Sequence, residues 1–415
     1  MVTSGPVYPT RSIAAPTPRR ILFGAWFYTE ASFAAWIVLG PLALFIAADM
    51  HFSQRALYAL IALPILVGTI CHLPVGLLAD RFGARRVGLI VHALVILALL
   101  MFILTSEHSA PAFLFVGAAL LGLAGVAFAI SMPLVSRVFP EEQQGRALGL
   151  TAFGGVGALF SAFVAPVLAQ AHGWRTAVLL VAGQMFLSLA IFASTAHENG
   201  RGITRPTWQG YLQVLRYVDT FWFCLFYVVT FGGMVSLISL LTAFFHDRFH
   251  TSPATAGLLT TACVLMGALF RPLGGWLADR HGGIRTLQGA FGVAAVCASW
   301  LASITTSPAS LSSAVFNALL VTAAFGVGNG AIFQLLPVRF RRHMGVITGV
   351  VGAAGGAGGF LFLFLHGWLQ KSWATVHPLF LFYAAFCLLG LIGLASVKRR
   401  WRTTWGTPRS TTARV

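Results

Sequence analysis

Twelve times between residues 21 and 396 the sequence passes through an apolar run about as long as a bilayer is thick. The runs lie near 21–47, 56–79, 87–105, 112–134, 147–169, 175–193, 220–246, 254–278, 286–304, 311–335, 343–367 and 377–396. A helix needs roughly 20 apolar residues to cross ~30 Å of hydrocarbon, so each run reads as one span. The expected fold is therefore all-α, with twelve transmembrane helices. Composition agrees: 9% of residues are charged, against about 25% in soluble domains. The first twenty residues are polar and proline-rich, and no small-residue cleavage site follows them, so the first run is read as an uncleaved span.

The formal net charge of +17 does not point to nucleic acid, because the basic residues are not gathered on a soluble face. They fall at the ends of spans. Of 27 Lys and Arg residues, 22 lie in the N-terminus, the even-numbered loops and the C-terminal tail. Four lie in the odd-numbered loops (Arg55, Arg175, Arg248 and Lys371), and Arg271 alone lies within a run. The positive-inside rule then expects both termini in the cytoplasm. The longest internal loop separates two sets of six spans, giving an N-terminal tail (1–20), a first bundle (21–193), a cytoplasmic loop (194–219), a second bundle (220–396) and a basic tail (397–415) lying on the membrane surface. Cys71, Cys224, Cys263, Cys297 and Cys387 sit in apolar runs without metal spacing, so no metal or cofactor is read from them. Nucleophile–base sets and phosphate loops are also absent from the sequence, which argues against an enzyme.

The two halves repeat. HLPVGLLADRFGARR (72–86) aligns with RPLGGWLADRHGGIR (271–285) at a shift of 199 residues, matching Gly76 with Gly275, Asp80–Arg81 with Asp279–Arg280, and Gly83 with Gly282. At a shift of 201, AFGGVGALF (152–160) lies over AAGGAGGFL (353–361). Same-orientation repeats of this kind belong to carriers whose site lies at the interface of the halves. The charged turns, carrying Gly76, Asp80, Arg81 and Arg85 and then Asp279 and Arg280, are candidates for a conformational latch, since charge pairs between halves form in one state and break in the other. Arg271 is costly inside a span and is expected to face a polar cavity.

The GlyXXXAspArgXGlyXArg pattern from Gly76 to Arg85 resembles the loop signature of the major facilitator superfamily, over the whole chain. That resemblance implies two pseudo-symmetric six-helix bundles, alternating access and no catalytic chemistry. More narrowly, SFAAWIVLGPL (32–42), LGLAGVAFAISMPLVSRVFP (121–140), YVVTFGG (227–233), GALFRPLGGWLADR (267–280), GNGAIFQLLPVRF (328–340) and GVVGAAGGAGGF (349–360) resemble the nitrate/nitrite porter family. The resemblance implies a monomeric secondary carrier in a bacterial cytoplasmic membrane, with nitrate or nitrite held between arginines of the second and eighth spans. The eighth-span arginine matches Arg271, and the flanking aromatics match Tyr227, Phe231 and Phe128. The glycine-rich eleventh span, including Gly356, implies close approach of another helix or of a planar anion.

Two departures stand out. At the 199-residue shift His72 falls on Arg271, where the family has its second arginine, and Gly155 replaces the family's fifth-span asparagine. One permanent charge becomes titratable and one amide is lost. A carrier of the same fold for another small organic anion, or a drug/proton antiporter, therefore stays open, as does proton coupling through His72 and Glu30. Glu30, His72 and Arg271 lie nine, seven and seven residues from their cytoplasmic ends, a shared depth of about 10 to 14 Å that permits contact. His92 and His366 read as hydrogen-bonded core histidines.

Overall fold

The computed structural model describes residues 17–52, 54–105, 111–197, 212, 214–303, 310–372 and 377–404. Among them lie twelve helices long and apolar enough to cross a membrane. They are α1 (Pro18–Leu42), α2 (Ala59–Phe82), α3 (Ala84–Leu104), α4 (Ala112–Ser136), α5 (Glu141–His172), α6 (Trp174–Thr195), α7 (Val218–Leu241), α8 (Thr255–His281), α9 (Gly283–Ser303), α10 (Leu311–Phe340), α11 (Met344–Phe362) and α12 (Phe380–Trp401). The first fifteen or so positions of the expected N-terminal tail and most of the expected inter-bundle loop lie outside the described residues.

Single glycines make the tightest turns. Gly83 (φ 98°) joins α2 to α3, and its repeat mate Gly282 (φ 95°) joins α8 to α9. Positive φ costs glycine nothing, so each charged turn reverses within one residue. Near the site the helices depart from regular α geometry. Gly122–Val126 in α4 and Gly154–Val156 in α5 are 3₁₀, Val228–Gly232 in α7 is a π turn, and Pro74 and Pro272 interrupt α2 and α8. Proline removes a ladder hydrogen bond, and π turns often mark functional positions.

Each half has its own polar fastening. In the first, the Tyr28 ring stacks on His92 at 3.9 Å, and His92 Nε2 lies 3.0 Å from Ser188 Oγ, so His92 is a bonded core residue. The side chain of His366 lies outside the described ones. At the end of the first half away from the charged turns, Asp49 accepts from Trp174 Nε1 (2.9 Å) and Arg175 Nη1 (2.7 Å). The Trp174 hydrogen bond, with help from Arg175, holds the Asp49 carboxyl below its usual range against the opposing cost of burial. In the second half Asp219 gathers Arg339 (2.9 Å), Arg400 and Trp401 Nε1 (2.9 Å). The helix begun at His377 runs on to Thr404, through the start of the expected tail, with Trp401 fully buried.

Candidate functional site: an arginine in a closed circuit of rings

Arg271 precedes Pro272 in α8 and is only 5% exposed. Its Nη1 donates across the molecule to the Ala152 carbonyl of α5 at 3.0 Å. A Cβ on Gly155 would stand 3.0 Å from that nitrogen, so the absence of a side chain there makes the space the guanidinium fills. Nε is buried without a hydrogen-bond partner among the described residues. Such an orphaned donor on a buried cation costs several kcal/mol by general experience, roughly 1–3 for the hydrogen bond alone. On the opposite side Arg271 Cζ lies 5.6 Å from the centre of the Phe231 ring.

Phe231 belongs to the π turn of α7 and lies parallel to Tyr227, centroids 5.0 Å apart and planes 1° apart. From Tyr227 the rings continue edge-on to Phe333 of α10 (5.5 Å) and on to Phe128 of α4 (5.7 Å), then tilted to Phe33 of α1 (5.2 Å). Phe33 returns to within 3.9 Å of the missing Gly155 Cβ. Arg271, Phe231, Tyr227, Phe333, Phe128 and Phe33 therefore close a circuit through five helices of both halves, with Gly155 of α5 as the sixth. Ring edges carry partial positive charge and ring faces repel anions, while the guanidinium offers a planar fork of donors. The chemistry of this enclosure fits a small planar anion. A separate recess lined by Phe270, Leu277, Val293 and Leu320, with His281 and Arg285 among its residues, is almost wholly apolar and holds none of these site groups.

His72, 7% exposed, has a different setting. Its Nδ1 donates to the Gly68 carbonyl at 2.6 Å, which leaves Nε2 as the nitrogen open to a proton. That edge packs on α11, where a Cβ on Gly352 would come within 3.0 Å of Nε2. Gly356 does not face His72 or Arg271, because its Cβ direction meets Thr69 Oγ1 at 3.2 Å. Nor do Glu30 and His72 meet. The Glu30 carboxylate accepts from Gln184 Nε2 of α6 at 2.6 Å, whereas the His72 ring packs on α11 of the other half.

The charged turns work through their acids. Asp80 accepts from the backbone N–H groups of Gly345 (3.1 Å) and Val346 (3.0 Å), at the start of α11. Asp279 accepts from Gly145 and Arg146, both 2.8 Å, at the start of α5. Each acid thus caps a helix of the opposite half, where free N–H groups and the helix dipole favour negative charge. Arg137, which the sequence reading passed over, pairs with Asp80 at 3.1 Å. Of the motif arginines, Arg85 donates to the Ala193 carbonyl, Arg81 lies over Phe82, and Arg280 lies over Trp276. Gly76 and Gly275 let the backbones touch, since Cβ atoms there would stand 2.2 Å from the Gly345 oxygen and 1.9 Å from the Gly145 oxygen.

The sequence model of the Major Facilitator Superfamily matches residues 25–363 and 223–411. The chain belongs to the major facilitator superfamily. As a facilitator it is an integral, multi-pass membrane transporter. A relative described as "Nitrite extrusion protein" from Bacillus subtilis is 31% identical over 339 residues, 80% of this chain and 82% of that protein. "Probable nitrate/nitrite antiporter NarK1" from Thermus thermophilus is 30% identical over 402 residues, 89% of this chain and 90% of that one. These matches place the facilitator among the nitrate/nitrite porters. In fold it also resembles the proton:xylose symporter XylE (TM-score 0.72, 16% identity, 91% of this chain and 95% of that one) and a bacterial homologue of ferroportin (TM-score 0.73, 18% identity, 92% and 99%). Around the facilitator's Arg271, sequence reasoning missed Phe33 and Phe333. Both lie in segments quoted for the family resemblance, but apolar neighbours on every side gave no sign of which way they point.

Proposed function

We propose that the protein is a secondary carrier of nitrate or nitrite, set in a bacterial cytoplasmic membrane with both termini inside. The observation that carries this reading is Arg271: buried, crossing between the halves, over the Phe231 face and with Nε unpartnered, in a chain whose relatives are named for nitrate and nitrite transport. The anion takes the free Nε edge of the guanidinium and lies among the rings of Tyr227, Phe231 and Phe128. Gly155 supports the same site by leaving it room. The two acid caps hold the cytoplasmic end shut while the site is served from the other side, and alternating access follows when they release. Proton coupling is assigned to His72 through Nε2. Glu30 is assigned to fastening α1 to α6.

Uptake of labelled nitrate and nitrite by proteoliposomes tests the reading. Arg271→Ala is expected to lose at least about 100-fold in transport, the worth of a charged hydrogen-bond pair and its ion contact. Unchanged uptake in a folded Arg271→Ala protein sinks the assignment.

A further inference from the structure

The side chain of Asn329 in α10 is fully buried, and neither Nδ2 nor Oδ1 has a hydrogen-bond partner among the described residues. Leaving both ends of an amide unpaired is unfavourable, so helix packing gives no reason for an asparagine here. Its neighbours fix its direction. A Cβ on Gly328 would lie 2.6 Å from Thr230 Cγ2 in α7, and one on Gly330 would lie 2.2 Å from the Arg271 carbonyl oxygen in α8. Successive helical residues point about 100° apart, so Asn329 projects into the angle between α7 and α8. Thr230 adjoins Phe231, and Phe333, one turn on from Asn329 along the same face, meets Tyr227. The amide therefore looks into the ring circuit where the Arg271 guanidinium lies over Phe231.

Resting on the carrier reading above, we propose that Asn329 is the nitrate-selective ligand of the site. A guanidinium edge presents two parallel N–H donors, and here the Nε side is free. Two anion oxygens satisfy that edge. Nitrite has no more oxygens, whereas nitrate has a third, an acceptor that requires a donor in a water-poor enclosure. Nδ2 of Asn329 supplies it, and the now unpaired amide acquires its function when nitrate enters.

The test is the KM for nitrate and for nitrite in proteoliposomes carrying wild type, Asn329→Ala or Asn329→Ser. Expected is a rise of about 10-fold or more in KM for nitrate with less than about threefold change for nitrite, one hydrogen bond being worth about a factor of ten. An unchanged KM for nitrate, or equal losses for both anions, overturns the proposal, because a purely structural amide cannot tell the two apart. Failure of both variants to yield monodisperse protein also overturns it, since the amide then serves the fold. If wild type carries neither anion, the nitrate reading fails by itself. Bicarbonate against formate, three oxygens against two, then makes the same comparison, and transport of none of the four ends both ideas.

Discussion

At the scale of residues, the repeat places a permanent cation and a titratable one at equivalent positions, yet gives them different work. Arg271 reaches over to α5, while His72 keeps its Nδ1 hydrogen on its own helix and turns Nε2 to α11. A proton on Nε2 adds a second positive charge beside that of Arg271, and its loss removes that charge. Wild-type uptake is expected to fall as external pH rises through the loss of the His72 proton, and His72→Arg is expected to flatten that profile. Identical profiles remove His72 as the coupling group. Arg271 was legible in the sequence because a charge in an apolar run is rare. Asn329, Gln184 and Phe333 were not, because runs that are apolar on every face carry no periodic signal of which side turns inward. The same lack of rotation made Glu30 and His72 look like partners.

Among the helices, the glycines divide by what stands opposite them. In α11, Gly349 and Gly352 meet His72, and Gly355 meets the Tyr227 and Phe231 rings, so most of that glycine-rich surface receives neighbouring helices. Twelve spans and the repeat were readable from run length and the shared AspArg. The 3₁₀ and π turns that aim Gly155 and Phe231 were not, since they come from tertiary packing. The crossings yield a paired prediction. In Gly275→Ala the new Cβ meets the Gly145 backbone oxygen at 1.9 Å, and backbone cannot swing aside. Closure of α5 on α8 should fail, with uptake reduced at least about tenfold and stability lowered by about 1–3 kcal/mol, measured by transport and detergent melting. Gly292→Ala meets nothing within 4 Å and is expected to transport normally.

For the molecule as a whole, Asp80 and Asp279 form a reciprocal pair of caps, each half gripping the other by two main-chain N–H groups. Asp80→Asn with Asp279→Asn should shift the population away from this closed end by about tenfold or more, the scale of one lost charged hydrogen bond. Spin-label distances between α2 and α11, and between α5 and α8, read that shift. An unmoved distribution rules the caps out as the latch. Asp80 is 2% exposed and accepts from two peptide groups as well as from Arg137, which leaves mobile ions little access to its contacts with α11. Debye screening acts on charges that face water, so raising ionic strength should leave the Asp80 cap almost untouched. The Asp80 side of the gate is therefore indifferent to the salinity of the cytoplasm and answers to what occupies the site.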